Sequence, residues 1–229
     1  MTPKLFIFDC DGTLVDSQHR IVAAMGEAFG AHGLVVPARE KVLGIVGLSL
    51  IEAVRTLSPE LESARHVRLA ESYKAAFFEL RRSGRHEEPL YEGAEACLRA
   101  LAGRDDVLLG IATGKSRRGV SMLLEKHGFD GLFQTIQTAD THPSKPHPSM
   151  IREALSETGV DPRDAVMIGD TRYDMAMARS AGVAGLGVAW GYHPPSELVV
   201  AGAAAVAAHF DEVAAHLDAL TAGEARAAS

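Results

Sequence analysis

Two aspartates, one residue apart, follow a short apolar run near the start of the chain. Residues 5–13 read LFIFDCDGT, so the run ends at Asp9, and Asp11 follows. Because a carboxylate is costly to bury without a partner, we expect Asp9 to lie where a buried strand ends at an open site. There Asp9 is a candidate nucleophile. Asp11 is a candidate general acid and base.

Other reactive side chains follow later apolar runs. Thr113 and Gly114 come directly after the run 107–112, and Asp170 and Asp174 come after the run 165–168. Lys145 stands in the polar loop DTHPSKPH at 140–147. In open α/β sheets, ligands bind beyond the carboxyl ends of the strands, so we expect these side chains to converge there.

Several carboxylates in one place repel each other unless a cation neutralises them. Oxygen ligands with open water positions suit Mg²⁺ better than Ca²⁺. Lys145, with the Thr113 hydroxyl, would then hold a phosphoryl dianion. Gly12 and Gly114 would let backbone N–H groups approach it. The residues thus predict a Mg²⁺ site joined to a phosphate site.

The elements that position these residues are short apolar runs alternating with helical stretches. This alternation predicts a doubly wound, Rossmann-like α/β fold with a parallel sheet. The predicted strands are 5–8, 107–112, 165–168, 185–188 and 203–206, and the helices between the later strands are 94–102, 118–127, 148–158 and 173–181. The C-terminal residues 221–229 are expected to fray.

Residues 17–88 break the alternation because they read as helices only. The predicted helices are 18–32, 39–43, 49–56 and 59–82, followed by a polar segment SGRHEEP that we interpret as a linker. We therefore predict a small helical cap, 17–88, inserted into an α/β core formed by 1–16 and 89–229. Arg81 and Arg82 are interpreted as a solvated helix face.

Composition limits the classes of partner. The chain has 229 residues, 47% of them hydrophobic, and a net charge of −7. An acidic chain argues against a nucleic-acid or acidic-membrane partner. Two cysteines without metal or redox spacing, and no stretch of membrane-spanning length, favour a cytoplasmic location. Monomer and homodimer both stay open.

Four motifs in this order resemble those of haloacid dehalogenase-superfamily phosphatases. They are the D-x-D-G-T stretch 9–13, Thr113, Lys145 within SKPHP, and GDTRYD at 169–174. The resemblance implies that Asp9 is the nucleophile and a Mg²⁺ ligand, and that Asp11 is the acid/base whose carbonyl binds the metal. It further implies that Thr113 and Lys145 hold the phosphoryl oxygens, that Asp170 binds Mg²⁺, and that Asp174 binds it or supports its shell.

Within the superfamily, the chain resembles the phosphoglycolate phosphatase-like branch. Residues 42–54, VLGIVGLSLIEAV, are similar to that branch's cap loop, where Gly47 and Ser49 would face the active site. Residues 187–198, GVAWGYHPPSEL, are similar to its loop after a late strand. The implied substrate is a small phosphorylated metabolite such as 2-phosphoglycolate, and small caps accept many such metabolites.

Departures from related branches narrow the chemistry. The dehalogenases themselves generally lack the second carboxylate, so Asp11 favours phosphoryl transfer. The related mutases use a cap histidine; Ile21 takes its place here and His19 is out of position, which disfavours mutase activity. The phosphonatases need a cap lysine that forms a Schiff base, and Lys41 matches that position poorly. Three alternatives stay open: a pyrophosphatase, a sugar-phosphate or nucleotide phosphatase, and a non-catalytic phosphate-binding module.

Overall fold

One parallel sheet forms the centre of the fold. The computed structural model describes residues 2–222. The sheet has the strand order β3-β2-β1-β4-β5-β6, which is that of Rossmann-type sheets, and the predicted α/β fold class is confirmed. In chain order the strands are β1 Lys4–Phe8, β2 Val107–Thr113, β3 Thr135–Thr138, β4 Ala165–Gly169, β5 Ala184–Val188 and β6 Ala205–Ala207.

Ten α-helices accompany the sheet within the described residues, and none of them is long and apolar enough to cross a membrane. They are α1 Gln18–Ala31, α2 Arg39–Leu43, α3 Leu50–Leu57, α4 Ser63–Arg82, α5 Ala94–Ala102, α6 Arg117–His127, α7 Ser149–Thr158, α8 Arg172–Ala181, α9 Pro195–Ala201 and α10 Phe210–Thr221. Residues 223–229, most of the segment expected to fray, lie outside the described residues.

Both faces of the sheet are buried. Along β1, Phe6 and Phe8 enter one apolar core, whereas Leu5 and Ile7 enter another on the opposite face. Helices α5, α6 and α10 contribute to the first core, and α7 and α8 contribute to the second. Burial on both faces explains why the central strands read as continuous apolar runs.

The sequence pattern does not predict β3. This strand reads TIQT, pairs with residues 110–113 of β2, and is polar at three of four positions. Its buried polar groups have partners, because Glu157 accepts hydrogen bonds from Thr135 Oγ1 at 2.6 Å and from Gln137 Nε2 at 2.8 Å. Those partners are distant in sequence, so periodicity could not reveal the strand.

Helices α1 to α4 form a unit between β1 and α5, which we call the helical insert. It has its own apolar core, which includes Met25, Phe29, Val54 and Leu69. Helix α4 begins at Ser63 rather than at residue 59, since residues 58–61 form a turn. The division of the chain into 17–88 and the remainder stays our proposal, and this separate core supports it.

The two connections to the insert run side by side. Val15 and Leu90 form an antiparallel bridge, and the Asp16 N–H donates to the Pro89 carbonyl at 2.9 Å. Within the segment interpreted as a linker, Glu88 is buried. The chain therefore enters and leaves the insert at one place.

Candidate active site

A tight loop after β1 positions the first two aspartates. The N–H groups of Leu14 and Val15 donate to the Cys10 carbonyl at 2.9 and 3.0 Å, which folds the chain back on itself. Asp9 Oδ1 accepts a hydrogen bond from the Cys10 N–H at 2.7 Å. Asp9 Oδ2 is buried and lies 3.0 Å from the Lys145 ammonium nitrogen. The side chain is thus fixed, with Lys145 as the partner of its second oxygen.

Lys145 lies between two of the buried carboxylates. Its Nζ is 3.0 Å from Asp9 Oδ2 and donates to Asp174 Oδ1 at 2.6 Å. The lysine side chain is fully buried. Burial lowers the pKa of the Lys145 ammonium, but the charges of Asp174 and Asp9 outweigh it and hold that pKa above its usual range. Lys145 is therefore a permanent cation at the strand ends, not a solvated loop residue.

The loop after β4 holds the other two carboxylates. Asp170 accepts hydrogen bonds from Thr13 Oγ1 at 2.8 Å and from the Tyr192 N–H at 2.9 Å. Asp174 Oδ2 accepts from the Thr171 N–H at 3.0 Å and from its hydroxyl at 2.7 Å, completing a capping box at the start of α8. Sequence reasoning recognised both aspartates but not these supporting residues.

Gly12 serves a different purpose from the predicted one. Its N–H donates to the Val15 carbonyl at 2.9 Å, so the amide expected to bind phosphate is already used. A β-carbon on Gly12 or on Gly191 would collide with the Asp170 carboxylate, and Gly12 also has a left-handed φ of +85°. The absence of side chains at these two positions makes room for Asp170.

Three buried carboxylates meet at the switch point of the sheet between β1 and β4. Oxygens of Asp9, Asp170 and Asp174 lie within 4.8 Å of one another. Burial raises the pKa of Asp9 to about 6, the Lys145 ammonium lowers it and the Asp174 charge raises it. Burial, followed by the charges of Asp174 and Asp9, raises the pKa of Asp170 well above its ordinary value. The single positive charge of Lys145 does not neutralise the negative charge of these three carboxylates.

This oxygen-only donor set fits a hard divalent cation. The clearest sign is the charge, because the three buried carboxylates share the Lys145 ammonium and carry more negative charge than it neutralises. The Asp11 side chain does not join the three carboxylates; the predicted contribution of Asp11 to a metal is that of its backbone carbonyl, which stays a prediction.

The Asp11 carboxylate turns toward Ser17 and Lys115 instead. Its Oδ1 accepts from Ser17 Oγ at 2.5 Å and from Lys115 Nζ at 2.6 Å. Burial lowers the pKa of Lys115, but Asp11 and Glu88 outweigh it and raise that pKa above its usual range. Sequence reasoning missed Lys115 as a functional residue, although it directly follows Thr113 and Gly114, which it had singled out.

Glu88 connects this part of the site to the helical insert. Its carboxylate pairs with Arg20 of α1, with Arg81 of α4 at 3.0 Å, and with Lys115 at 3.4 Å. Arg20 and Glu88 are both buried. The expectation that Arg81 lies on a solvated face is wrong, because Glu88 draws it inward; Arg82 is exposed as predicted. Nothing in the local pattern marks this long-range cluster.

The loop that includes Gly47 and Ser49 closes over the strand ends. Gly47 packs against Thr171 and Tyr173, and the Ser49 N–H donates to Ser144 Oγ at 2.8 Å. Gly114 allows a close approach, since a β-carbon there would lie 2.6 Å from the Leu48 carbonyl oxygen. Below this loop lies a cavity of about 740 Å³, whose lining includes Asp9, Asp11, Thr113, Gly47 and Ser49.

The sequence matches a known family over most of its length. Residues 6–188 match the family model described as "Haloacid dehalogenase-like hydrolase". This chain is a member of the haloacid dehalogenase-like hydrolase family. The family resemblance inferred from the four motifs is therefore confirmed.

Haloacid dehalogenase-like relatives include several with phosphatase names. "Probable phosphatase IndB" of Dickeya dadantii is 35% identical over 93% of both chains. Pyrophosphatase PpaX of Bacillus pumilus is 32% identical over 82% of this chain and 84% of its own. Phosphoglycolate phosphatase 1 of Pseudomonas aeruginosa is 31% identical over 83% and 71%. The predicted enzyme class, a phosphatase, is confirmed.

A solved hydrolase structure shows the same architecture. The crystal structure of a hydrolase from Pseudomonas syringae superposes with a TM-score of 0.83 at 29% identity, covering 96% of this chain and 99% of its own. The arrangement of sheet and helical insert is thus shared along nearly the whole length.

Proposed function

We propose that this phosphatase is a Mg²⁺-dependent phosphomonoester hydrolase that works through an aspartyl-phosphate intermediate. One observation carries the proposal. The buried Asp9 lies 3.0 Å from Lys145, and Asp170 and Asp174 complete an oxygen-only cluster at the switch point of the sheet. The roles implied by the family resemblance agree with this geometry.

Asp9, Asp170 and Asp174 would hold Mg²⁺, with the Asp11 carbonyl as a further ligand. When bound, the ion would neutralise the carboxylates and the charge of the phosphoryl oxygens. Lys145 and Thr113 would bind the same oxygens from the protein side, with the Gly114 amide beside them. These groups are fixed before substrate arrives, which is what electrostatic stabilisation of a transition state requires.

The reaction proceeds in two balanced steps. A carboxylate oxygen of Asp9 forms a bond to phosphorus while the bond to the alcohol oxygen breaks, and Asp11 gives that oxygen a proton. Asp11 then takes a proton from water as the water oxygen bonds to phosphorus and the bond to Asp9 breaks. The products are the alcohol and inorganic phosphate, and both aspartates return to their starting states.

The substrate class is a small phosphorylated metabolite, and the enzyme acts in the cytoplasm without a nucleic-acid or membrane partner. The family resemblance points to 2-phosphoglycolate, and the phosphoglycolate phosphatase of Pseudomonas aeruginosa supports it. The PpaX relatives keep a pyrophosphatase as the second candidate. Monomer and homodimer are equally compatible with this proposal.

The test is phosphate release from a panel that contains 2-phosphoglycolate, pyrophosphate, a sugar phosphate, a nucleotide and p-nitrophenyl phosphate. Wild type and Asp9→Asn are assayed with and without Mg²⁺. We expect Mg²⁺-dependent release that Asp9→Asn loses while keeping its fold by circular dichroism. Substantial activity of the variant would overturn the nucleophile assignment. A folded, Mg²⁺-binding wild type without any release would indicate the phosphate-binding module instead.

A further inference from the structure

The walls of the catalytic cavity are mostly apolar. Asp9, Asp11 and Thr113 line it at the strand ends. The helical insert contributes mainly aliphatic side chains and three aromatic rings, together with the charged Glu71, Lys74 and Arg81. The rings belong to Tyr73, Phe77 and Phe78 of α4. Tyr73 and Phe77 stay partly exposed although they pack against the insert's core, and Phe78 is 42% exposed. Such walls match an uncharged ligand group rather than an anion.

Of the cations that line the cavity, Lys115, Arg81 and Lys74 already have carboxylate partners, and Arg118 lies over the Phe78 ring. Lys115 pairs with Asp11 and Glu88, and Arg81 pairs with Glu88 as well. Lys145 pairs with Asp9 and Asp174 and is reserved for the phosphoryl group. The leaving group of 2-phosphoglycolate carries a carboxylate of its own. In this cavity that carboxylate would meet cations that are already paired with protein carboxylates, and it would lose its hydration against apolar walls.

The rim of the cavity spans the gap between insert and core and combines a cation with apolar side chains. The Arg118 guanidinium of α6 lies 5.2 Å from the centre of the Phe78 ring of α4. Met122, one turn further along α6, also lines the cavity. The volume of about 740 Å³ is within the range of pockets that enclose a ligand of drug-like size, and it far exceeds what a two-carbon acid needs.

We propose that the preferred substrates are phosphomonoesters whose alcohol carries an uncharged aromatic or branched apolar body, which this cavity binds. The proposal rests on the phosphatase function proposed above and departs from the 2-phosphoglycolate expectation, which the family resemblance and the name of a relative supplied. Phe78 is then a residue that determines specificity. It would contact the apolar body of the alcohol and take no part in the chemical steps.

A matched set of alkyl phosphate esters tests the proposal, because the phosphorus–oxygen bond that breaks is chemically the same in each ester. We expect kcat/KM for 2-phenylethyl phosphate to exceed the values for ethyl phosphate and for 2-phosphoglycolate by about tenfold or more, the gain expected from burying a ring. Equal values for the two alkyl esters, or a tenfold preference for 2-phosphoglycolate, would overturn the proposal.

Two variants on the same helix provide the control. Phe78→Ala should lower the ratio of kcat/KM for 2-phenylethyl over ethyl phosphate about threefold or more. Val67→Ala should keep the ratio, because Val67 is 51% exposed on α4 and does not line the cavity. An unchanged ratio in Phe78→Ala would remove that residue from the subsite.

A binding measurement separates this inference from the proposed function. Titration calorimetry with 2-phenylethylphosphonate, which cannot be hydrolysed, should give a Kd at least about tenfold lower than that of ethylphosphonate. If this preference is present but no ester is hydrolysed, the subsite stands and the phosphatase proposal fails. If p-nitrophenyl phosphate is hydrolysed without any apolar preference, the phosphatase stands and the subsite fails.

Discussion

The Asp11 carboxylate is held in place through one oxygen, Oδ1, by two hydrogen bonds that leave Oδ2 unused. Both Ser17 Oγ and Lys115 Nζ donate to Oδ1, so neither of these bonds uses Oδ2. The carboxylate lines the cavity and its side chain is 13% exposed. Geometry of this kind suits a group that must give a proton to a leaving oxygen and later accept one from water.

Replacing Asp11 by Asn should therefore slow substrates according to their need for a proton. We expect kcat for ethyl phosphate to fall by about 10²- to 10⁴-fold, and kcat for p-nitrophenyl phosphate to fall much less, because nitrophenolate leaves without protonation. Steady-state assays on the two esters measure the difference.

Asp16→Asn provides the control for this substitution. Asp16 is outside the cavity lining, and its side chain bonds to Gln18, so its loss of charge should leave both rates within about twofold of wild type. Equal losses for the two esters in Asp11→Asn would contradict the role of Asp11 as general acid.

At the scale of elements, the loop after β2 packs against the loop before α3, which places the insert over the strand ends. Gly114 is the point of closest approach, because a β-carbon there would meet both the Leu48 and the Gly47 carbonyl oxygens. These are backbone atoms that cannot rotate away, so the two loops would have to separate.

Gly114→Ala should hold the insert away from the strand ends and lower kcat/KM about tenfold or more, since a small misplacement of reacting groups is costly. Gly30→Ala is the control, because Gly30 lies within α1 with open space around it and should keep full activity. Wild-type kcat/KM in Gly114→Ala would show that this approach is not required.

Glu88, in the segment that leads from the insert back to the core, forms ion pairs with both parts. Glu88 pairs with one cation from α1, one from α4 and one from the core. Glu88→Gln would leave Arg20 buried without its partner, which typically costs about 3 kcal/mol, or about 6–12 °C in Tm for a chain of this size. Thermal unfolding measures the change.

Glu95 offers a matched exposed pair. It bonds to Arg99 one turn away on α5, and both side chains are about half exposed. Glu95→Gln should cost at most about 0.5 kcal/mol. If Glu88→Gln and Glu95→Gln lost the same unfolding free energy, the ion pairs of Glu88 would stabilise the protein no more than an exposed pair does.

At the scale of the whole molecule, the buried carboxylates make stability depend on pH and on metal. Burial raises the pKa of Asp9 from 3.8 to about 6, and that of Asp170 rises too. The folded state then keeps a proton that the unfolded state loses, so the metal-free protein loses stability as pH rises through about 4 to 6. For Asp9 alone the loss is about 3 kcal/mol.

Mg²⁺ should remove this penalty, because the ionised carboxylates would then face a cation. We expect Mg²⁺ to raise Tm by about 3–6 °C more at pH 8 than at pH 5, measured by differential scanning fluorimetry. Asp170→Asn should reduce the gain at pH 8. The same gain at both pH values would contradict a metal site formed by these carboxylates.

The sequence allowed the sheet and its reactive edge to be predicted, because both follow from local patterns. Apolar runs marked β1, β2 and β4. Asp9 and Thr113 follow their runs directly, and Asp170 follows its run after Gly169. The rest depends on contacts distant along the chain. Strand β3 is polar and depends on Glu157, and Lys115 gains its place only through Asp11 and Glu88. No periodicity encodes such partners.

The side-by-side connections at Val15–Asp16 and Pro89–Leu90 have a consequence for engineering. Since entry and exit are joined by backbone hydrogen bonds, a short turn could connect residue 15 to residue 90 without moving the sheet. The helical insert could thus be replaced by the insert of a relative. Chimeras that combine this reactive edge with inserts from relatives would keep the chemistry and acquire the donor's choice of alcohol.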